Sequence, residues 1–183
     1  ILLKMNEYLD VVIPRGGKGL MQAVMANATV PVIETGMGNC HLYIDNEVNL
    51  EVAQNIAFNA KCQRPGVCNA IETLLVHRDV AAQVLPGILE KLKEAGVEVR
   101  GCEETQKIVP WVNPATEEDY DTEYLDMIIA VRVVSDIDEA IDHIYKYSTK
   151  HSEAIVTDNY HKGRKFVQEV DAAAVYVNAS TRF

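Results

Sequence analysis

The chain is short of what several function classes require. Of its 183 residues, 17 are Lys or Arg against 27 Asp or Glu, a formal net charge of −10. A nucleic-acid binder needs a basic footprint, so that class is set aside. An anionic substrate would have to be held by local cations, because the overall field repels it. No apolar stretch reaches membrane-spanning length, and no charged-then-apolar leader opens the chain. A soluble cytoplasmic protein is expected, without membrane or nucleic-acid partners. Cysteine is limited to four residues, Cys40, Cys62, Cys68 and Cys102. None forms a C-x-x-C pair and no His pair has zinc-finger spacing, so no metal site is expected. A disulfide framework is not expected either, and reduced thiols fit best. The five histidines are scattered. His151, beside Ser152 and Glu153, is the one placed near a site. The first residue is Ile1 and the last is Phe183, with no helix-stop or tail signal before it. The expectation is an internal piece of a longer polypeptide.

What is present is a hydrophobic content of 48%, enough for a real core, and an alternation of strand and helix patterns. Short strands are expected at 11–14, 30–34, 41–44, 72–77, 97–100, 128–134, 154–157 and 174–178. Helices are expected at 20–26, 50–60, from Asp79 as N-cap to about Ala95 with Gly96 as terminator, 138–147 behind Ser135 or Asp136, and 160–170. In the 50–60 helix the apolar spacing runs through Val52, Ile56 and Ala60. Residues 101–122 carry Pro110, Trp111 and Pro114 and read as a loop with one short strand. Strands separated by helices of this length predict an α/β fold, a mostly parallel twisted sheet with helices on both faces.

Five segments carry candidate chemistry. The most informative is 59–70, NAKCQRPGVCNA, where Cys68 sits in a Gly/Pro loop between a helix and a strand. A thiolate there can reach a substrate; cations such as Arg64, four residues upstream, favour it, and backbone N–H groups beyond it could stabilise an oxyanion. The alternative is a small buried hydrophobe, the commonest fate of a free cysteine. Arg15-Gly16-Gly17-Lys18-Gly19 lies between a strand and a helix and offers N–H groups to an anion, or is a tight turn. Glu34, in ETGMGN, follows a strand, where α/β folds bind ligands. Glu123, in DTEYL, precedes a strand. Asn178 to Arg182 ends the last strand, and an arginine there could hold a carboxylate bidentately. Each of these three is otherwise a solvated loop.

Together the segments IPRGGKGL, PVIETGMGNCHLYID, NAKCQRPGVCNAIETLLVHRD, EYLDMIIAVRVV, HSEAIVT and AAAVYVNASTRF resemble the aldehyde dehydrogenase superfamily, and within it the gamma-glutamyl phosphate reductase family, in order and approximate spacing. Two departures from the superfamily's oxidative members, Thr35-Gly36-Met37-Gly38 after Glu34 and Leu125-Asp126-Met127 after Tyr124, match that branch. The resemblance implies an aldehyde-dehydrogenase-like catalytic domain at 33–183, C-terminally incomplete, preceded by the tail end of a dinucleotide-binding domain at 1–32. It implies Cys68 as the acylated thiol and Glu34 at the place of the superfamily's general base. Glu123 then holds the ribose next to the nicotinamide, and Arg15, Gly16, Gly17 and Lys18 lie beside the dinucleotide. Asn178 and Arg182 fall on the substrate loop, with Arg182 for the substrate's α-carboxylate and Arg64 for the departing phosphate. The implied activity is NADPH-dependent reduction of L-glutamyl 5-phosphate to L-glutamate 5-semialdehyde, in proline biosynthesis. A homo-oligomer and functional coupling to glutamate 5-kinase go with it. Two other readings stand beside it: a hydrolytic NAD(P)-dependent aldehyde dehydrogenase, and a non-catalytic interaction or scaffold fragment.

Overall fold

The computed structural model describes residues 1–33 and 36–182, apart from the side chain of Lys18. Two compact units divide the chain, Ile1–Met37 and Gly38–Phe183. In the first unit a 3-10 turn, Leu2–Lys4, precedes α1, Lys18–Asn27. The runs 11–14 and 30–34, expected as strands, contribute a single parallel bridge, Val12 to Val32. Each is too short and too exposed to pair further: Val11, Ile13 and Ile33 are all exposed.

The second unit alternates β1 (Cys40–Ile44), α2 (Leu50–Cys62), β2 (Ile71–His77), α3 (Arg78–Glu94), β3 (Glu98–Gly101), α4 (Glu103–Ile108), β4 (Asn113–Pro114), α5 (Glu117–Tyr120), β5 (Ile128–Val134), α6 (Ile137–Tyr147), β6 (Ser152–Val156), α7 (Tyr160–Glu169) and β7 (Ala174–Val177). The strands form one sheet in the order β4-β3-β5-β2-β1-β6-β7, and every pairing is parallel. Parallel strands buried on both faces read as continuous apolar runs, and β1 and β2 are buried along their whole lengths. One face packs Leu42, Ile44, Leu74, Val76 and Val131 against α2 and α3. The other packs Tyr43, Leu75 and Ile155 against α6 and α7.

Three local expectations are corrected. Residues 101–122 hold two short helices as well as β4. α5 is closed by a capping box in which Thr116 and Asp119 bond each other's backbone N–H, a T-x-x-D variant of the usual S/T-x-x-E/Q pattern. The core face of α2 is Ala53, Ala57 and Ala60, one residue round from the expected stripe, and Val52 is exposed. Small side chains let α2 lie close to α3, where a Cβ on Gly87 would run into Gln54. At α3 the N-cap is His77, whose Nδ1 accepts the Asp79 N–H at 3.1 Å; Asp79 itself sits in the first turn. Gly96 does end the helix, at φ +85°, a conformation glycine adopts freely.

Candidate active site

The exposed cysteine of the second unit, and the polar groups around it, lie at the amino ends of the strands. The loop 63–70 leaves α2 and enters β2, and Cys68 on it is exposed, whereas Cys40 is buried. The two are joined: the Cys40 thiol donates to the Cys68 carbonyl at 3.2 Å. Burial, with help from the nearby Glu153 carboxylate, pushes the Cys40 thiol well up, so it stays protonated and keeps donating. The N–H of Ala70 closes onto the Val67 carbonyl at 3.0 Å. Among the described residues the N–H groups of Cys68 and Asn69 have no acceptor, which leaves two donors on the loop that carries the sulfur.

Gly38 lies against the back of this loop. A Cβ there would fall inside the Cys68 carbonyl group, so only glycine permits the approach. The Gly38 N–H donates to Glu123 Oε1 at 2.6 Å. Glu123 is half-buried, and among the described residues its second oxygen has no protein partner. A carboxylate fixed by one oxygen and open at the other suits a pair of ligand hydroxyls.

Beneath the loop lies an ion pair that sequence reasoning missed. Lys61 Nζ meets Glu72 Oε2 at 2.5 Å with both side chains fully buried. Glu72 Oε1 accepts the Leu125 N–H at 3.1 Å. Burial pushes the Glu72 carboxyl up and the Lys61 ammonium down, and their mutual attraction offsets only part of this. The signal in the sequence was a carboxylate inside a strand buried on both faces, which must find a partner.

A second polar cluster stands one strand away. Asn39 Nδ2 donates to the Tyr120 and Tyr147 carbonyls at 2.8 and 2.9 Å. Buried Glu153 accepts the His41 N–H at 2.7 Å and the Ser148 hydroxyl at 2.5 Å. His143 packs edge-on to Tyr120, near Tyr147 and His41, and burial pushes its pKa down to about 2. His151, placed near a site in the sequence, is half-buried and bonds its neighbour Ser152.

Asn178 and Arg182 are not held together. Asn178 follows β7 at φ 54°, and both ends of its side-chain amide bind the Thr157 backbone at 2.9 Å. By register it stands level with the carboxyl ends of β1 and β2, roughly 15 Å along the strands from the start of β2. The chain then turns back, and Arg182 reaches the thiol loop: its Nε donates to Gln63 Oε1 at 3.0 Å and its Nη1 to Asn69 Oδ1. Arg64 is exposed and, among the described residues, unpartnered. Arg15, Gly16 and Gly17 are exposed ahead of α1 in the first unit, with Gly17 as its N-cap. Glu34 lies outside the described residues.

A cavity of about 470 Å³ opens elsewhere, between the carboxyl ends of β6 and β7 and α7, lined by Thr157, Tyr160, Gly163, Arg164 and Val177 among others. No cysteine is among its lining residues, and the exposed Cys68 lies at the other end of the strands. Among the described residues no group of three or more His, Cys, Asp and Glu side chains is placed to hold a metal, and no helix is long and apolar enough to cross a membrane.

No family model matches the chain. Its whole length is nevertheless 61% identical to a gamma-glutamyl phosphate reductase of Clostridium kluyveri, of which it covers 44%. It superposes over its whole length on the crystal structure of gamma-glutamyl phosphate reductase from Thermotoga maritima, with a TM-score of 0.98 and 61% identity, again covering 44% of that chain. The acetylating aldehyde dehydrogenase of Geobacillus thermoglucosidasius, at 19% identity, shares the fold with a TM-score of 0.74 over 48% of its length. The chain thus spans less than half the length of the relatives it matches. It is similar throughout to gamma-glutamyl phosphate reductases and has an aldehyde-dehydrogenase-like α/β fold.

Proposed function

We propose that this chain carries the thiol-bearing catalytic part of an NADPH-dependent enzyme that reduces L-glutamyl 5-phosphate to L-glutamate 5-semialdehyde and phosphate. In this reading residues 33–183 belong to the catalytic domain and residues 1–32 to the end of a dinucleotide-binding domain. The observation that carries it is an exposed Cys68 on a loop backed by Gly38 and anchored through Glu123, in a chain alike end to end to reductases of that name.

The residues present fit a nicotinamide dinucleotide as far as they go. Glu123 keeps one oxygen for ribose hydroxyls, and Arg15, Gly16, Gly17 and Lys18 stand at a helix N-terminus, which favours an anion. When bound, the dinucleotide supplies a hydride. The chain's own residues do the rest. The Cys68 thiolate attacks the acyl carbon; a C–S bond forms and the bond to the phosphate oxygen breaks, leaving a thioester and inorganic phosphate. An acyl phosphate already has a good leaving group, so positioning matters more than acid catalysis. The free N–H groups of Cys68 and Asn69 are the donors for the oxygen that gathers charge. Once the thioester carbon is reduced, the C–S bond breaks and Cys68 leaves as thiolate. Arg64, exposed and unpartnered, takes the departing phosphate. Arg182 is fixed by two of its nitrogens and offers Nη2 to the substrate α-carboxylate. Asn178 acts through the reversal that brings Arg182 there. Glu34, the superfamily's base position, has no hydrolytic water to activate in a phosphate-releasing reaction.

Cys68→Ser in the complete protein tests the reading. Phosphate-dependent NADP+ reduction by the semialdehyde should fall at least about a thousandfold, the nucleophile being lost. Retained turnover, or free glutamate as the product without any phosphate requirement, would sink it.

A further inference from the structure

Glu72 is a buried carboxylate that no step above uses. It sits one residue into β2, between the thiol loop and the segment that carries Glu123. One of its oxygens is taken by Lys61, the other by the N–H of Leu125 at 3.1 Å. Among the described residues Leu125 is one of three non-glycine residues with positive φ, at 54°. That conformation costs about 1 kcal/mol for a branched side chain, so something must hold it. The Leu125 carbonyl in turn lies beside Gly66, two residues before Cys68, at the distance where an added Cβ would just touch it, 3.5 Å. Lys61 and Glu72 therefore close the stems of the thiol loop, and Glu72 also pins the strained residue two places after Glu123.

We propose that Glu72 Oε1, locked in place by Lys61, is a positioning group that sets Glu123 and the Cys68 loop in one fixed relation, so that the dinucleotide and the thiol meet in register. The proposal rests on the functional reading above. Glu72 touches neither substrate nor cofactor in it; it acts through Leu125 and Gly66. The charge serves to lock the acceptor, and the acceptor does the positioning. A buried pair replaced by neutral groups of similar volume is often tolerated, so charge and acceptor can be separated without unfolding the protein.

The test uses two double variants of the complete protein. Lys61→Met with Glu72→Gln removes both charges and keeps an acceptor for Leu125. Lys61→Met with Glu72→Leu removes both charges and the acceptor. NADP+ affinity is measured by titration, and turnover is split into kcat and KM. Amide hydrogen exchange is followed at Leu125. The Gln variant should stay within twofold of the parent in NADP+ affinity. The Leu variant should bind NADP+ about fivefold more weakly, the loss of one hydrogen bond's net worth. It should also lose about tenfold in kcat with the semialdehyde KM unchanged, and its Leu125 amide should exchange faster. Equal behaviour of the two variants, whether both intact or both impaired, overturns the proposal. Should the parent itself bind no NADP+, the functional reading fails separately. The exchange rate at Leu125 then decides the positioning claim, which falls if the two variants match.

Discussion

The two ends of this sheet are built from similar materials and do opposite things. At the carboxyl ends, buried Asp45 accepts the Thr157 hydroxyl at 2.7 Å, the Tyr43 hydroxyl at 3.2 Å and the Lys162 ammonium at 3.1 Å. These contacts tie β1, β6 and α7 together, beside an open cavity of about 470 Å³. At the amino ends, Glu72 and Glu153 are as fully buried, but apart from Lys61 in the last turn of α2 their partners are loop and strand-start groups: Leu125, His41 and Ser148. One network braces regular elements. The other braces loops, and one of those loops carries the exposed thiol. Open parallel sheets usually bind ligands at their carboxyl ends. Here the cavity obeys that rule, and the exposed thiol of Cys68 stands at the opposite ends.

The largest test of this contrast is Gly38→Ala. The methyl group would have to displace the Cys68 carbonyl, and a shift of about 1 Å at a reacting group costs about a hundredfold in rate. A kcat fall of that order is expected in steady-state assays of the complete protein; an unchanged kcat would show that the loop tolerates displacement and would break the contrast. Next is Asp45→Ala, which leaves the buried Tyr43 hydroxyl without its acceptor and takes one partner each from Thr157 and Lys162, which keep Glu47 and Asn46. It should cost about 2 kcal/mol in denaturant unfolding, with the rate of Cys68 alkylation by iodoacetamide within twofold of the parent. A large change in that rate would mean that the two ends are coupled.

The smallest test concerns acid. His143, among Tyr120, Tyr147, His41, Arg132 and Lys146, has its pKa pushed down to about 2, first by burial and then by those cations. The folded protein therefore keeps it neutral while the unfolded chain takes up a proton below about pH 6.5. Its contribution to stability is present above that pH and is lost as pH falls, at about 1.4 kcal/mol per pH unit. His143→Phe, which keeps a ring in the aromatic cluster, should flatten the unfolding free energy between pH 6.5 and 5 by that slope. An unaltered slope would place the acid sensitivity elsewhere.

Much of this was legible in the sequence because burial leaves a pattern. β2, β5 and β6 are apolar runs bounded by turns, and α6 and α7 carry clear apolar stripes behind Asp136 and Asn159 caps. Cys68 stood out because Pro65 and Gly66 mark its loop. α4 and α5 were hidden because they are short and acidic and flank the Pro110 to Pro114 stretch, where periodicity has no room to appear. The Lys61–Glu72 pair joins a helix to a strand 11 residues on, and no local rule links those positions. Gly38 looked like one turn glycine among several. Its reason is the backbone of Cys68, which only the fold brings near.

The hold of Arg182 on Gln63 and Asn69 joins residues 119 and 113 positions apart. A ribosome delivers the chain from the amino end, so the thiol emerges long before the arginine that steadies it. Throughout synthesis of β3 to β7 the Cys68 thiol belongs to an unfinished loop. Its contacts are completed by a residue made after β7, so the thiol loop reaches its folded arrangement only once the sheet around it exists.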